Sequence, residues 1–132
     1  MSHFVELETS MTDEEALVKA LGRMGFSNNQ IERHAEASTL RDYFGNFSPQ
    51  KANVIIRKRD AGIADLGWEK TKEGTYKSHL DLYTGKYDKS WQDKLQVHYN
   101  VEKTKMECTK KKLKYTEDVD IENRPRLRIR MN

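Results

Sequence analysis

The sequence predicts an α+β fold, a mostly antiparallel sheet of about six to seven strands with two main helices on one face, in the order βαββββαββ. Three observations carry this expectation. Residues 88–112 (DKSWQDKLQVHYNVEKTKMECTKKK) lie within the longest run without Gly or Pro and read as one long helix. Segments on both sides of it alternate apolar and polar residues with the period of two of half-buried strands. A strand–helix–strand–strand succession then occurs twice without visible repetition of sequence, so the halves share a topology and not a duplication.

In chain order, residues 3–9 alternate, with Val5 and Leu7 on one face and Phe4, Glu6 and Glu8 on the other. Thr12 with Glu15 three residues later makes a capping box. Asp13 and Glu14 sit where the helix dipole favours negative charge. Leu17, Ala20, Leu21 and Met24 form the buried stripe of this first helix, and Gly25 supplies a left-handed stop with Phe26 folding back. The polar stretch 27–38 reads as a short helix carrying Ile31 and Ala35 or as a loop. Residues 40–47 read as a short strand closed by Gly45 and Asn46, with a turn at Ser48-Pro49, and 53–58 as a strand. Residues 63–69 and 75–83 read as a hairpin, with Ala64, Leu66 and Trp68 on one face of the first arm and Tyr76, Leu80 and Leu82 on one face of the second.

In the long helix, at about 100° per residue, Trp91, Leu95, Tyr99 and Met106 share one stripe, while Val97, Val101 and Cys108 form a second about 150° away. The larger stripe should face the sheet. The second needs its own cover: if segment 27–38 supplies it, the helix is architectural, and if nothing does, the helix is a docking surface. After the helix, Leu113, Tyr115, Val119 and Ile121, a turn at Asn123-Arg124-Pro125, and Leu127, Ile129 and Met131 alternating with Arg126, Arg128 and Arg130 make a terminal hairpin.

With 132 residues, the chain has the size of a single domain, residues 1–132. Its 36% hydrophobic and 34% charged content, and a mean hydropathy of −0.95, would fit disorder if the apolar residues were scattered. Their periodicity argues instead for a thin core under a charged surface. A net charge of +3 from 24 basic and 21 acidic residues does not single out a nucleic-acid binder. Acids gather near the N-terminus, however, and bases in the last third. Cys108 is the single cysteine, so no internal disulfide or cysteine metal cluster forms, and a reducing, cytoplasmic setting is expected. The opening residues lack a signal-peptide core, and no run approaches the roughly 20 apolar residues of a membrane span.

No specific catalytic motif occurs: there is no P-loop, GxSxG, dinucleotide fingerprint or HExxH. His79 and Asp81, two apart on a strand face opposite Leu80, have the residue types of a general-base pair or two metal ligands. An ordinary polar pair on a solvent face is the stronger reading. Arg126, Arg128 and Arg130 form a row at about 7 Å spacing that suits phosphates or an acidic partner. Terminal strands also carry charge to prevent edge pairing, and acidic neighbours can neutralise it. Lys110, Lys111, Lys112, Lys114 and Arg124 extend the basic region. Cys108, near these lysines, is read as a small half-buried residue and not a reactive thiol.

Several segments, in order over nearly the whole chain, carry a likeness. They are the opening Met1-Ser2-His3-Phe4, the helix DEEALVKALGRMG, Arg41-Asp42-Tyr43-Phe44-Gly45, the strand KANVIIRK, Asp65-Leu66-Gly67-Trp68, the arm 76–82 ending Asp81-Leu82, the helix with Tyr99, and the final alternating strand. Each is short, and together they resemble the hypothetical chloroplast reading frame thirty-five family of plastid, cyanobacterial, bacterial and phage proteins. The resemblance implies no established activity and no catalytic residues. Arg41, Tyr43, Asp65, Gly67, Trp68, Tyr76, Asp81 and Tyr99 match the family pattern. The many lysines and the ending Arg-Met-Asn depart from it, so the basic tail is this chain's own feature. A plastid stroma or a host cytoplasm would be the equivalent compartment, and the lysine-rich composition suits a phage.

The expected function is therefore a non-enzymatic module that docks on a larger protein through the arginine row or through Val97, Val101 and Cys108, without cofactor or metal. Electrostatic nucleic-acid binding through the basic last third is the alternative, and a metal-assisted hydrolase using His79 and Asp81 is a weaker third. No membrane contact is expected, and self-association is left open.

Overall fold

A computed structural model describes residues 4–81 and 85–130. Among these, the elements are β1 (Phe4–Glu8), α1 (Glu14–Arg23), β2 (Glu32–Arg41), β3 (Phe47–Ile56), the single turn α2 (Lys58–Ala61), β4 (Leu66–Lys70), β5 (Tyr76–Asp81), α3 (Lys89–Lys110), β6 (Lys114–Val119) and β7 (Pro125–Arg130). The expected α+β class and element order hold, with α2 interposed. His3, Leu82, Tyr83 and Met131, which the pattern placed in strands, lie outside the described residues, as do Met1 and Ser2.

β1, β5, β4, β3 and β2 form one antiparallel sheet in that order. β6 and β7 pair only with each other, so the seven described strands make two sheets and not one. Both main helices lie on one face of the larger sheet. The Ser78 hydroxyl donates to Gln92 Oε1 of α3 (2.9 Å), Trp68 packs beside Trp91 with ring centroids 6.3 Å apart, and Arg33 reaches Glu14 of α1 (2.6 Å). Leu17, Leu21, Val54, Ile56, Leu66, Leu80 and Leu95 fill the space between.

α1 begins one residue later than the capping box predicts. Asp13 is the N-cap, its carboxylate accepting the Ala16 N–H (3.0 Å). The N–H groups of Thr12 and Asp13, just ahead of the first turn, both go to the phenol oxygen of Tyr99, at 2.9 and 3.0 Å. The predicted stop holds: Gly25 has φ +107 and the Phe26 N–H reaches back to the Leu21 carbonyl (3.1 Å).

Segment 27–38 is neither helix nor loop. A single 3₁₀ turn, Asn28–Gln30, leads into the ten-residue edge strand β2. Little apolar periodicity marks it because polar contacts hold it: Glu32 takes Arg57 (3.0 Å), and the Asn53 amide donates to the His34 and Ala35 carbonyls (3.2 and 3.3 Å) where the pairing register jumps. Residues 40–47, expected as a short strand, instead hold the end of β2, a turn at 42–46 that includes Gly45 and Asn46, and the first residue of β3, and Ser48-Pro49 is no turn. Pro49 lies inside β3, where the register with β2 shifts between Thr39 and Arg41, and β3 pairs with β4 only over Val54–Ile56. No ladder bond there requires the N–H that proline lacks.

Candidate interaction surface

The sheet face away from the helices carries His79 and Asp81, and it is not solvated as expected. Both side chains are 1% exposed. Gly67 pairs with His79 across β4–β5, and a Cβ at Gly67 would lie 2.7 Å from Ala52 Cβ and 2.8 and 2.9 Å from the Leu40 methyls. β2 and β3 thus curl over this face, and the imidazole goes beneath them. His79 Nε2 lies 2.9 Å from Glu69 Oε1, and Nδ1 is 3.8 Å from Glu6 Oε1. An imidazole sealed this way and held by a neighbouring strand's carboxylate has no opening for a substrate. No group of three His, Cys, Asp or Glu side chains among the described residues forms a metal site.

The other positions singled out by the resemblance expected from the sequence are mostly framework. Asp65, 1% exposed, accepts the N–H groups of Arg41 (2.8 Å) and Lys58 (2.7 Å) and the Arg57 guanidinium (2.9 Å), fastening β2 to the α2 turn. Trp68 and Tyr76 are core residues; burial first, and then the charges of Glu14 and Asp13, push the Tyr76 phenol up to about 12. Tyr99 caps α1. Arg41 and Tyr43 stand at the β2–β3 turn, Arg41 exposed and Tyr43 half-buried.

The large stripe of α3 faces the core as predicted: Leu95 and Tyr99 are buried, with Trp91 and Met106 packed against them. The second stripe divides. Val101 and Cys108 are buried outside the main core, where the β6–β7 ribbon lies along α3, while Val97 stays 38% exposed. The cover is the ribbon and not segment 27–38. Buried Cys108 fits the small-residue reading.

In the ribbon, Tyr115, Glu117, Leu127 and Ile129 share the face toward α3, and Lys114, Thr116, Asp118, Arg126, Arg128 and Arg130 share the other. Leu127 and Ile129 are not core residues as expected. Leu127 is half-buried and Ile129 is exposed, because a two-stranded ribbon resting on one helix has no second layer. The arginine row is open to solvent but unequal. Arg126 holds Asp118 through two bonds (2.8 and 3.0 Å), Arg128 lies 3.5 Å from the same carboxylate, and Arg124 pairs with Asp120 (2.9 Å) and Glu122 (3.3 Å). The Arg126 hydrogen bond keeps the Asp118 carboxyl below its usual range. Among the described residues, Lys110, Lys111, Lys112, Lys114 and Arg130 have no carboxylate partner, and Lys114 stands directly opposite Arg130. Like charges set face to face oppose pairing, so the base of the ribbon holds uncompensated positive charge.

Sequence reasoning missed how apolar this region is. Tyr115, Val119, Ile121 and Ile129 are exposed on the ribbon and its turn, with Ile121 fully so. Val97 lines an open cleft of about 650 Å³ with His98, Arg124 and Pro125, between α3 and the ribbon turn. The alternation that placed these residues in strands was visible, but not the absence of a layer above them.

No described helix is long and apolar enough to cross a membrane. Compared with protein-family models, curated proteins and solved structures, the chain matches none.

Proposed function

We propose that this protein is a non-enzymatic interaction module that docks its terminal ribbon on a larger, acidic protein. One observation carries the reading: five of the seven exposed large hydrophobic side chains among the described residues, Val97, Tyr115, Val119, Ile121 and Ile129, belong to the ribbon, its turn or the adjoining helix face. Uncompensated lysines and Arg130 border Tyr115 and Ile129 at the ribbon base, and ion-paired Asp120, Glu122 and Arg124 flank Ile121 at the turn. An apolar patch with uncompensated positive charge at one end is a surface that a protein partner carrying acidic groups buries. Cys108 as the sole cysteine suits a reducing compartment such as the cytosol.

The test compares capture of one identified protein by the native chain and by two double variants. Lys114→Glu/Arg130→Glu abolishes capture, whereas Arg124→Gln/Arg126→Gln, which removes already paired charges, weakens it less. Equal capture by all three refutes docking at the ribbon base. Electrostatic nucleic-acid binding by the same lysines is a second reading, favoured by the opposed Lys114 and Arg130 and by the fit of a two-stranded ribbon to the major groove. It requires duplex affinity that falls steeply with salt.

A further inference from the structure

We propose that the β2–β3 turn is a separate site on which the bases of a single-stranded nucleic acid stack. The two exposed large hydrophobic residues that the ribbon does not account for, Phe44 (54% exposed) and Phe47 (70%), stand within four residues of each other on this turn. The turn is rigid. Asp42 Oδ1 accepts the N–H groups of Phe44 (2.9 Å) and Asn46 (3.0 Å), the Asp42 N–H donates to the Asn46 carbonyl (3.0 Å), and Gly45 takes φ +81. Rings held out by a preorganised turn lose little freedom when they are covered.

Cations lie over two of the turn's three rings, Phe47 and Tyr43. The Arg41 guanidinium lies 4.4 Å over the Phe47 ring, and Lys58 sits 5.3 Å over Tyr43 while donating to the Tyr43 carbonyl (2.6 Å). Tyr43 and Phe44 meet edge to face at 5.2 Å. Two cations therefore stand on the aromatics, Arg41 and Lys58, with the carboxylate of Asp42 in the same turn. Asp42 is engaged by backbone N–H groups, and Asp60 lies 3.4 Å from Arg59.

This chemistry selects the occupant. Single-strand surfaces combine ring faces that stack on any base with cations that follow the phosphates, and a guanidinium plane itself stacks on bases. A guanidinium lying on Phe47 extends the platform on which a base can rest. It would have to be stripped of water if that ring entered a lipid layer, so the arrangement favours bases over membrane.

The experiment measures fluorescence anisotropy of a labelled oligothymidylate of about 16 nucleotides at about 50 mM salt. The native chain should bind it, and Phe44→Ala/Phe47→Ala and Arg41→Ala should each weaken binding about tenfold or more. Phe47→Trp retains affinity, and its indole emission is quenched when a base stacks on it. Both phenylalanines are exposed, so the thermal transition of the double alanine variant reports whether the fold is intact. No binding by the native chain overturns the proposal. So does binding that survives loss of both rings, binding lost only with Lys110→Glu/Lys112→Glu at the ribbon, or ring-dependent binding to phosphatidylserine vesicles with none to the oligonucleotide.

Discussion

Arg23, at the end of α1, donates through Nε to Nδ1 of His98 on α3 at 2.9 Å. The same guanidinium reaches Glu102 of α3 (2.9 Å) and both carboxylate oxygens of Glu117 on β6. One side chain therefore ties the first helix, the long helix and the ribbon together, and Lys105 of α3 joins it at Glu102 (3.2 Å) and Glu117.

This tie makes the ribbon's attachment depend on pH. His98 must keep a lone pair on Nδ1 to accept from Arg23, and burial first, then the Arg23 charge, lower its pKa below the ordinary 6.5. In this lowered range the unfolded chain binds a proton that the folded chain refuses, so stability falls as pH drops below about 6.5. Glu117 adds a second loss. Hydrogen bonds from Arg23 and then Lys105 hold it down to about 2, so its contribution, fully present above 4.5, disappears as pH falls from there towards 2. Amide resonances of β6 and β7 should shift and broaden on acidification before those of β3 and β4. In His98→Gln the part of the change that follows from the lowered imidazole pKa should be absent. Simultaneous loss of both sheets across the whole range would contradict this.

Gly67→Ala should destabilise the protein by about 1–3 kcal/mol or more, since the new methyl meets Ala52 at 2.7 Å and Leu40 at 2.8 Å inside a closed face. The further variant Leu40→Ala in the same chain should recover part of the loss by making room, which denaturant midpoints of the single and double variants would show. Additive effects would mean that Leu40 is not what excludes the methyl.

What was legible in the sequence was local. The 3.6-residue stripe of Trp91, Leu95, Tyr99 and Met106 and the glycine stop at Gly25 announce themselves because each depends on residues a few positions apart. β2 escaped notice because its partners, Arg57 and Asn53, are some twenty residues away and polar, so no apolar alternation records them. The period of two correctly set His79 opposite Leu80. Whether that opposite face meets water depends on Leu40 descending onto Gly67, which no local pattern contains. The arginine row shows the same limit at the candidate site. Which arginines are neutralised follows from Asp118 standing opposite Arg126, a matter of register and not of composition.

Asp65→Asn should cost about 3–5 kcal/mol, because it leaves the Arg57 guanidinium without its buried counter-charge while two backbone donors lose a charged acceptor. The damage should start where Asp65 acts. Hydrogen exchange should accelerate at Arg41 and Lys58, whose N–H groups it accepts, before it accelerates in α3. A variant of native stability would show that Glu32, Arg57's other partner, suffices alone.

Tyr99→Phe removes one oxygen and with it the shared acceptor of the Thr12 and Asp13 N–H groups. The ring is 4% exposed and packs within the core, so phenylalanine retains the apolar contacts and only the hydrogen bonds are lost. Thr12 is exposed, so water can reach its N–H and the loss should be about 1 kcal/mol rather than the full penalty of two buried donors. The Asp13 cap to Ala16 and its ion pair with Lys103 at 3.3 Å remain, so α1 should still form. Its first turn should exchange amide protons faster while the Arg23 end is unchanged. In Tyr99→Leu the effect should exceed that of the phenylalanine variant by a further cavity cost, separating the ring's packing from the oxygen's hydrogen bonds. If the two variants lose the same stability, the phenol oxygen is the whole of Tyr99's contribution and the aromatic stripe of α3 matters less to the core than its burial implies.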